Sequence, residues 1–487
     1  MATKRANGDQ MNSNLAALER VRMNLCRRTF LRGQASMASL AALSQLMGKD
    51  VSHANETHSL PRAKRVIYLF MSGGPSHVDT FDHKPELERR DGQEVPASLI
   101  DGIHFAMIES TEVPRFKGSP FRFRKCGQSG IPVSNLLPRT GAVVDDLAVV
   151  RSLHSETFNH DPAVCLLNTG DSRVGRPTMG AWLSYGLGSE SEDLPAYLVL
   201  TSGVKVQPLI DSYWTNGFLP SQHQGVRLRG EGEPVLFLTN PDFVSRDNRR
   251  SQMELLRTMN QHHFDIFQDP EILARIRQYE TAFRMQAAAP QLIDLSQETR
   301  ATLDLYGVEP GKPSFANNCL LARRMVERGV RFVQLYDMGW DSHGTLVEQH
   351  TRQCQAIDQA IAGLITDLKQ RGLLEDTLVI WGGEFGRTPV AQTSQGNGKN
   401  WGRDHHPHGF TMWMAGGGIR GGITYGETDE FGFHAAENKV SVHDFHATAL
   451  HCLGIDHTRL TYRHQGRDFR LTDVAGTVIR PLLESTS

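Results

Sequence analysis

The chain has 487 residues, of which 39% are hydrophobic and 22% are charged, and its formal net charge is −2. This balance is typical of a globular protein, and it lacks the basic surplus that would indicate a nucleic-acid partner. No uninterrupted apolar run approaches the ~18 residues that a membrane-spanning helix needs, so we expect no stable membrane anchor.

The first 54 residues have the pattern of an export signal. A twin-arginine pattern (Cys26–Arg32) precedes an apolar run (Ala35–Met47), and Ser52 and Ala54 supply the small residues of a signal-peptidase site. We predict that residues 1–54 are a signal peptide for the twin-arginine export machinery and that the mature protein is periplasmic or extracellular. The alternative is an amphipathic N-terminal helix on a cytoplasmic protein.

The first predicted strand is Lys64–Met71, a continuous run of β-branched and aromatic residues. Such a run is typical of a strand that is buried on both faces of a sheet. The Ser72–Asp82 loop that follows contains two glycines and carries Asp79. Asp79 is therefore a candidate metal ligand, although it could equally cap the next turn.

A short strand, Ala148–Ser152, leads to His160. Asp161 and Pro162 favour the first turn of a helix, so His160 stands where a helix begins and unpaired backbone N–H groups point outward. This is a suitable position for a nucleophile or for a group that binds an anion. Another predicted strand, Leu194–Leu200, follows.

Residues 207–306 are predicted to contain insertions, which are loop-rich at first and helical from Ser251 to Tyr306. Apolar residues recur at helical spacing in the second part. We expect a break at Ala287–Pro290 to separate two helices, because proline disturbs the helical hydrogen bonds.

The C-terminal part alternates between strands and helices. Predicted strands at Val330–Leu335 and Leu378–Trp381 flank a long helix, about His350–Gln370, and an apolar run follows at Phe410–Ala415. This alternation specifies parallel β-α-β units with helices on both faces of the sheet. We predict one α/β domain over residues 55–487, a three-layer α/β/α sandwich with a mostly parallel central sheet.

Acidic residues and histidines cluster after the predicted strands. Loops at the carboxyl ends of parallel strands meet at one edge of the sheet, so these side chains should lie close together. A solvated loop without function is the alternative for any single histidine. The candidate metal ligands are Asp79, Asp341, His343, Glu384, Asp404, His405 and His408.

Carboxylates mixed with imidazoles suit Zn²⁺ or Mn²⁺ better than Ca²⁺, which prefers oxygen ligands. One or two such divalent metal ions would polarise a phosphoryl or sulfuryl oxygen and lower the pKa of a bound water. Arg387, three residues after Glu384, is a candidate for binding a tetrahedral oxyanion. The G-x-S-x-G motif of serine hydrolases is absent, and no G-x-G-x-x-G follows the first strand.

Several segments together resemble an uncharacterised family of twin-arginine-exported, sulfatase-like bacterial proteins, which is distantly related to the alkaline phosphatase and sulfatase superfamily. The resemblance covers nearly the whole mature chain and implies an alkaline-phosphatase-like fold. The segments are FMSGGPSHVDTFDHKP (Phe70–Pro85), FRMQAAAPQLIDLSQET (Phe283–Thr299), WDSHG (Trp340–Gly344), GGEFGRTP (Gly382–Pro389), GRDHHPHGF and AGGGIRGG.

Comparison with the sulfatases of that superfamily places His160 where they carry the nucleophile. The motif C-x-P-S-R keeps its proline here as Pro162, whereas Val164 replaces the arginine. His160 could therefore act as a nucleophile, bind metal or be inert. The resemblance also leaves Asp337 and Asp341 as competing partners of His343.

These observations predict an exported, metal-dependent hydrolase of sulfate or phosphate esters, including esters on polysaccharides. His160 would occupy the position of the attacking nucleophile, and Arg387 would bind the oxyanion. The alternative is a non-catalytic binding or scaffold protein that kept the sulfatase-like fold and lost the nucleophile.

Overall fold

The computed structural model describes residues 57–108, 113–203, 211–229, 240, 243–393 and 400–485. The predicted signal peptide at residues 1–54 lies outside these described residues, as do parts of the predicted loop-rich stretch. Residues Asn55–Ser487 form one compact unit. Within the described ranges, no helix is both long and apolar enough to cross a membrane.

Among the described residues, nine strands form the central sheet and eight short strands form four separate pairs. The strands are β1 (Arg65–Ser72), β2 (Phe123–Cys126), β3 (Ile131–Ser134), β4 (Leu147–His154), β5 (Tyr197–Gly203), β6 (Val226–Arg227), β7 (Phe332–Met338), β8 (Thr377–Gly382), β9 (Gly386–Arg387), β10 (His405–His406), β11 (Phe410–Ala415), β12 (Ile423–Tyr425), β13 (Glu427–Thr428), β14 (Ala435–Glu437), β15 (Val440–Ser441), β16 (Tyr462–His464) and β17 (Arg467–Phe469).

The central sheet has the order β12-β4-β11-β8-β1-β7-β5-β6, and β15 also pairs with β4. Strand β11 is antiparallel to both of its neighbours, whereas the other pairings in this sheet are parallel. The predicted mostly parallel sheet is therefore confirmed. The N-terminal strand β1 lies in its middle, and seven of its eight residues are buried, as its continuous apolar sequence predicts.

Helices cover both faces of this sheet. They are α1 (His77–Thr80), α2 (Pro85–Arg89), α3 (Ala97–Ile100), α4 (Pro138–Ala142), α5 (His160–Thr169), α6 (Met179–Leu187), α7 (Arg246–Phe267), α8 (Pro270–Ile293), α9 (Arg300–Tyr306), α10 (Phe315–Glu327), α11 (Leu346–Gln370) and α12 (Val442–Cys452).

Two apolar cores separate the sheet from its helical layers. Alternate residues of a strand point to opposite faces, so Leu69 of β1 belongs to the core that contains residues of α8 to α11, while Phe70 belongs to the core that contains residues of α5, α6 and α12. The five described cysteines are buried and free, as is common for small core residues. The three-layer α/β/α architecture is thus confirmed.

One prediction about the helical insertion is wrong. Helix α8 continues through Pro290 to Ile293, instead of ending before this proline. Pro290 lies in the last turn of α8, where it removes only the one hydrogen bond that an N–H at this position would donate to the preceding turn. Helix α7 forms as its spacing predicts, but none of its residues is buried, and Leu255 remains 61% exposed.

The strands end at a common edge. Ser72 of β1 lies beside Met338 of β7, and Phe70 lies beside Gly382 of β8. Because β11 runs in the opposite direction, its first residue, Phe410, reaches the same edge from the other side. The loops after β1, β7 and β8 and the segment before β11 therefore converge there.

Candidate metal centre

Five side chains approach each other at this edge from distant parts of the chain. Asp341 and His343 follow β7, Glu384 follows β8, and His160 is the first residue of α5. The short strands β9 and β10 pair so that His405 lies opposite Arg387. The fold therefore assembles this group from four loops.

Two glycines allow these loops to touch. A Cβ atom on Gly73 would lie 2.4 Å from the backbone nitrogen of Asp341, and Gly73 also has a φ of +118°. A Cβ atom on Gly402 would lie 2.1 Å from the carbonyl carbon of His343. Any side chain at either position would push apart the segments that carry Asp341, His343 and His405.

Three imidazoles and one carboxylate form a compact cluster, in which one ligand atom from each residue lies within 4.8 Å of the others. The Oδ1 atom of Asp341 is its centre. It lies 2.9 Å from His343 Nε2, 3.3 Å from His405 Nε2 and 3.4 Å from His160 Nε2. These four residues, His160, Asp341, His343 and His405, are called the His/Asp cluster below.

The Nδ1 atom of each imidazole, which faces away from Asp341, contacts a partner outside the cluster. His160 Nδ1 lies 2.6 Å from Glu384 Oε1, and His343 Nδ1 lies 2.6 Å from Gln392 Oε1. His405 Nδ1 lies 2.8 Å from the backbone carbonyl of Phe158. Because all three partners accept hydrogen bonds, each Nδ1 donates a proton, and each imidazole in its neutral form turns the lone pair of Nε2 inward.

This arrangement fits a metal ion. Four tetrahedral ligands with bonds of about 2.0–2.1 Å stand about 3.3 Å apart. The cluster contacts of 2.9–3.4 Å around Asp341 and the 3.0 Å between His343 Nε2 and His405 Nε2 lie near that value, and all four ligand atoms lie within 4.8 Å of one another. His160 Nε2 is buried and makes no hydrogen bond within the described part of the chain. Inward lone pairs at such distances repel one another unless a proton or a metal ion lies between them.

The charges around the cluster also favour a metal ion at this site. Burial alone would raise the pKa of Asp341, but Arg387 and the three imidazoles outweigh it and hold this pKa far below its usual range. Burial lowers the pKa of His405 to about 4, so its imidazole is neutral. Burial also opposes protonation of His160, yet the nearby carboxylates of Asp341 and Glu384 raise its pKa overall. The site therefore favours positive charge beside His160.

Arg387 is fully buried behind the cluster. Its Nη2 lies 2.6 Å from Asp341 Oδ1 and also donates to the carbonyl of Gly73, while Nε donates to Gly74 O at 3.0 Å. Its Nη1 donates to the carbonyl of Arg403 at 3.1 Å. All its nitrogens are used inside the protein, so these contacts support positioning of Asp341 and not the predicted binding of an oxyanion.

The structure does not bring three of the predicted ligands into the cluster. Both carboxylate oxygens of Asp79 accept from Arg403, at 2.7 and 3.2 Å. The carboxylate of Asp404 accepts backbone N–H groups, including that of Met107 at 2.7 Å. The half-buried ring of His408 packs against another imidazole, that of His406.

The choice between Asp337 and Asp341 as the partner of His343 is resolved in favour of Asp341. Asp337 is the sixth residue of β7 and is buried, with its oxygens accepting from Ser202 Oγ and Trp340 Nε1. Glu384, also a predicted ligand, contacts the outer nitrogen of His160 and not its metal-facing one.

Two partners of the cluster were not anticipated from the sequence. Gln392 belongs to none of the sequence motifs described above, and Phe158 contributes only its backbone carbonyl. Buried His350 was also missed. It accepts the N–H of Ser76 and contacts Ser342 Oγ, so it links the loops after β1 and β7. No residue pattern signals any of these contacts.

A family model for proteins of unknown function, DUF1501, matches residues 63–483. The match covers most of the 487 residues. The chain belongs to the DUF1501 family. No curated protein matches it.

Solved structures with a similar fold include sulfatases and phosphatases, all at low sequence identity. The PsFucS1 sulfatase from Pseudoalteromonas sp. is 12% identical at a TM-score of 0.33, over 86% of this chain and 71% of the other. The phosphonate monoester hydrolase SpPMH from Silicibacter pomeroyi is 12% identical at a TM-score of 0.34, over 87% of this chain and 78% of the other. Alkaline phosphatase from the Antarctic bacterium TAB5 is 10% identical at a TM-score of 0.29, over 73% of this chain and 92% of the other. Similarities this distant carry no argument for the activity of this DUF1501 protein.

Proposed function

We propose that this DUF1501 protein is an exported, metal-dependent hydrolase of sulfate or phosphate esters. One observation carries the proposal: three imidazole Nε2 atoms and one carboxylate oxygen converge, with each imidazole fixed from behind. Nitrogen-rich donor sets of this kind suit Zn²⁺ or Mn²⁺ better than Ca²⁺. A site built only for stability would not need three lone pairs turned toward one another.

The charge balance favours an anionic substrate. Asp341 and Glu384 supply two negative charges and buried Arg387 one positive charge, so a divalent ion beside neutral imidazoles makes the group net positive. His160 is also the first residue of α5, a helix of ten residues whose N-terminal N–H groups favour anions. A sulfate or phosphate ester would be attracted by both features.

A bound divalent ion would polarise the ester oxygen and lower the pKa of a water molecule. The protein residues supply its position and the route of access. The side chains of Asp341 and His160 are 15% and 12% exposed, so a substrate would approach from their side. His160 Nε2 faces the cluster, which supports a ligand role for His160 instead of the attacking role that the sequence comparison suggested. Water is then the nucleophile that the proposal requires.

Metal analysis and an ester panel test this proposal. The mature protein should retain about one equivalent of Zn²⁺ or Mn²⁺ and should hydrolyse a sulfate or phosphate ester, with a sulfated polysaccharide included in the panel. His160→Ala should lose both the metal and the turnover. A wild-type protein that binds no divalent ion would contradict the proposal.

The position of His160 also favours a second candidate, a binding or scaffold protein without catalysis. His160 stands where the sulfatase motif carries its nucleophile, and an imidazole offers neither an alkoxide nor a thiolate. Metal retention without turnover on any ester, combined with saturable binding of a sulfated polysaccharide, would select this alternative.

Export by the twin-arginine route is a separate part of the proposal and rests on the sequence of residues 1–54. Residues 1–54 fused to a folded reporter should direct it to the periplasm or the medium. Replacement of Arg27 and Arg28 by lysine should leave the reporter in the cytoplasm. Export that survives this double replacement would contradict the twin-arginine assignment.

A further inference from the structure

Glu384 is a fully buried carboxylate that stands directly behind His160. Its Oε1 lies 2.6 Å from His160 Nδ1 and accepts the N–H of Gly73 at 2.8 Å. Its Oε2 is buried and has no hydrogen-bond partner among the described residues. Glu384 therefore acts on the far side of the imidazole from the centre of the His/Asp cluster.

The three imidazoles differ in the group that holds them. The partner of His343 is a neutral side-chain amide, that of Gln392, and the partner of His405 is the backbone carbonyl of Phe158. Only His160 has an anionic partner at its Nδ1 atom, the carboxylate of Glu384. A carboxylate behind a ligating imidazole fixes its tautomer and makes it a stronger donor to a metal ion. His160 is therefore the imidazole best prepared to hold a cation.

The cost of burying Glu384 supports the same conclusion. A buried carboxylate with one unpartnered oxygen is destabilising unless a positive charge nearby compensates it. Arg387 does not relieve this cost, because its nitrogens contact Asp341 and backbone carbonyls. A cation on His160 Nε2 would compensate the charge of Glu384 through the ring.

We propose that Glu384 is a positioning residue that directs His160 Nε2 to the metal ion and makes His160 its dominant anchor. Through the N–H of Gly73, Glu384 also ties the loop after β1 to the metal centre. The inference rests on the proposed metal site and adds a specific role for one residue outside the His/Asp cluster.

The test compares two substitutions in the full mature protein. Glu384→Gln keeps an oxygen that can accept from His160 and Gly73 but removes the charge, whereas Glu384→Ala removes both. The affinity for Zn²⁺, measured by competition with a chelating dye, should fall about 10-fold in the first and up to about 100-fold in the second. The absorption spectrum of bound Co²⁺ should also change, because a loosened imidazole alters the ligand field.

Asp358 provides a matched control. It is another buried carboxylate that accepts backbone N–H groups, those of Arg139 at 2.9 Å and Thr140 at 2.7 Å. Asp358→Asn should lower the melting temperature of the metal-free protein while leaving Zn²⁺ affinity and the Co²⁺ spectrum as in the wild type. Glu384→Gln should show the reverse, with a metal-free melting temperature that is unchanged or higher.

The outcomes separate the two proposals. A wild-type protein that binds no Zn²⁺ or Co²⁺ overturns the metal site and this inference together. If the wild type binds metal and Glu384→Gln matches it in both affinity and Co²⁺ spectrum, the metal site stands and the role of Glu384 is overturned. Glu384→Gln decides the question even if Glu384→Ala does not fold, because it retains the shape and the acceptor.

Discussion

Asp337 is a buried carboxyl group with two neutral hydrogen-bond donors, Ser202 Oγ at 2.8 Å and Trp340 Nε1 at 3.1 Å. Burial raises its pKa to about 6 from an ordinary value of 3.8, although both donors act to lower it. The folded state therefore binds this proton more tightly than the unfolded state. This contribution to stability is present below the unfolded pKa and is lost as pH rises from about 4 to above 6.

We predict that Asp337→Asn stabilises the protein at pH 7, by up to about 3 kcal/mol, because it removes this penalty. Asn keeps an oxygen for Trp340 and can donate to Ser202. Denaturant unfolding between pH 4 and pH 7 would show the gain growing with pH. A variant that is less stable than the wild type at pH 7, or that loses bound metal, would contradict this account.

Arg387→Lys tests whether this residue positions Asp341 or binds substrate. Lysine has one nitrogen and cannot reach Asp341 and the carbonyls of Gly73, Gly74 and Arg403 together. We expect a loss of about 3 kcal/mol in the free energy of unfolding, measured with denaturant. An oxyanion-binding arginine would instead raise KM for the ester and leave the free energy of unfolding unchanged.

Residue type alone could not separate ligands from neighbours in the histidine-rich segment. Asp404, His405 and His406 are all suitable metal ligands, but successive residues of an extended chain point to opposite sides. His405 therefore faces Asp341, while the ring of His406 packs beside that of His77. The register of a strand only two residues long decides this, and no periodicity in the sequence reveals it.

At the level of elements, long segments with a clear apolar pattern were predicted well. The run at Lys64–Met71 became β1 (Arg65–Ser72), and the helix expected at about His350–Gln370 became α11, which begins earlier at Leu346. Contacts between loops were not predictable, because they depend on backbone shape. Gly402, for example, is one of many glycines in its segment, yet it packs against His343.

Gly402→Ala is expected to abolish metal binding. The added Cβ atom would lie 2.1 Å from the carbonyl carbon of His343 and would separate His343 from His405. Gly186→Ala is the control, because its Cβ atom would meet only the flexible end of Leu460, at 3.0 Å. Titration of both variants with Zn²⁺ should give normal binding for Gly186→Ala and none for Gly402→Ala. Normal binding by Gly402→Ala would mean that the loop can move without loss of the site.

The order of the strands in the central sheet is a property of the whole molecule and not of any single element. The sequence of β1 indicates a strand buried on both faces, which places it inside the sheet. Nothing in the sequence indicates that β8 and β7 are its neighbours, or that β11 runs antiparallel between β8 and β4. The convergence of loops at one edge was predictable, whereas the particular residues that meet there required the pairing.

Metal removal should destabilise the whole molecule, because the His/Asp cluster joins the segments after β4 and β7 to the segment before β11. A ligand that binds only the folded state adds stability of RT ln(1 + [L]/Kd), which is about 4 kcal/mol at a concentration 1,000 times Kd. We expect a chelator to lower the melting temperature of the wild type and Zn²⁺ to restore it in a concentration-dependent way. His343→Ala should melt at one temperature in both conditions, since it lacks a ligand. A wild type that responds to neither chelator nor Zn²⁺, with His343→Ala behaving identically, would show that the inward-facing imidazoles hold no metal ion.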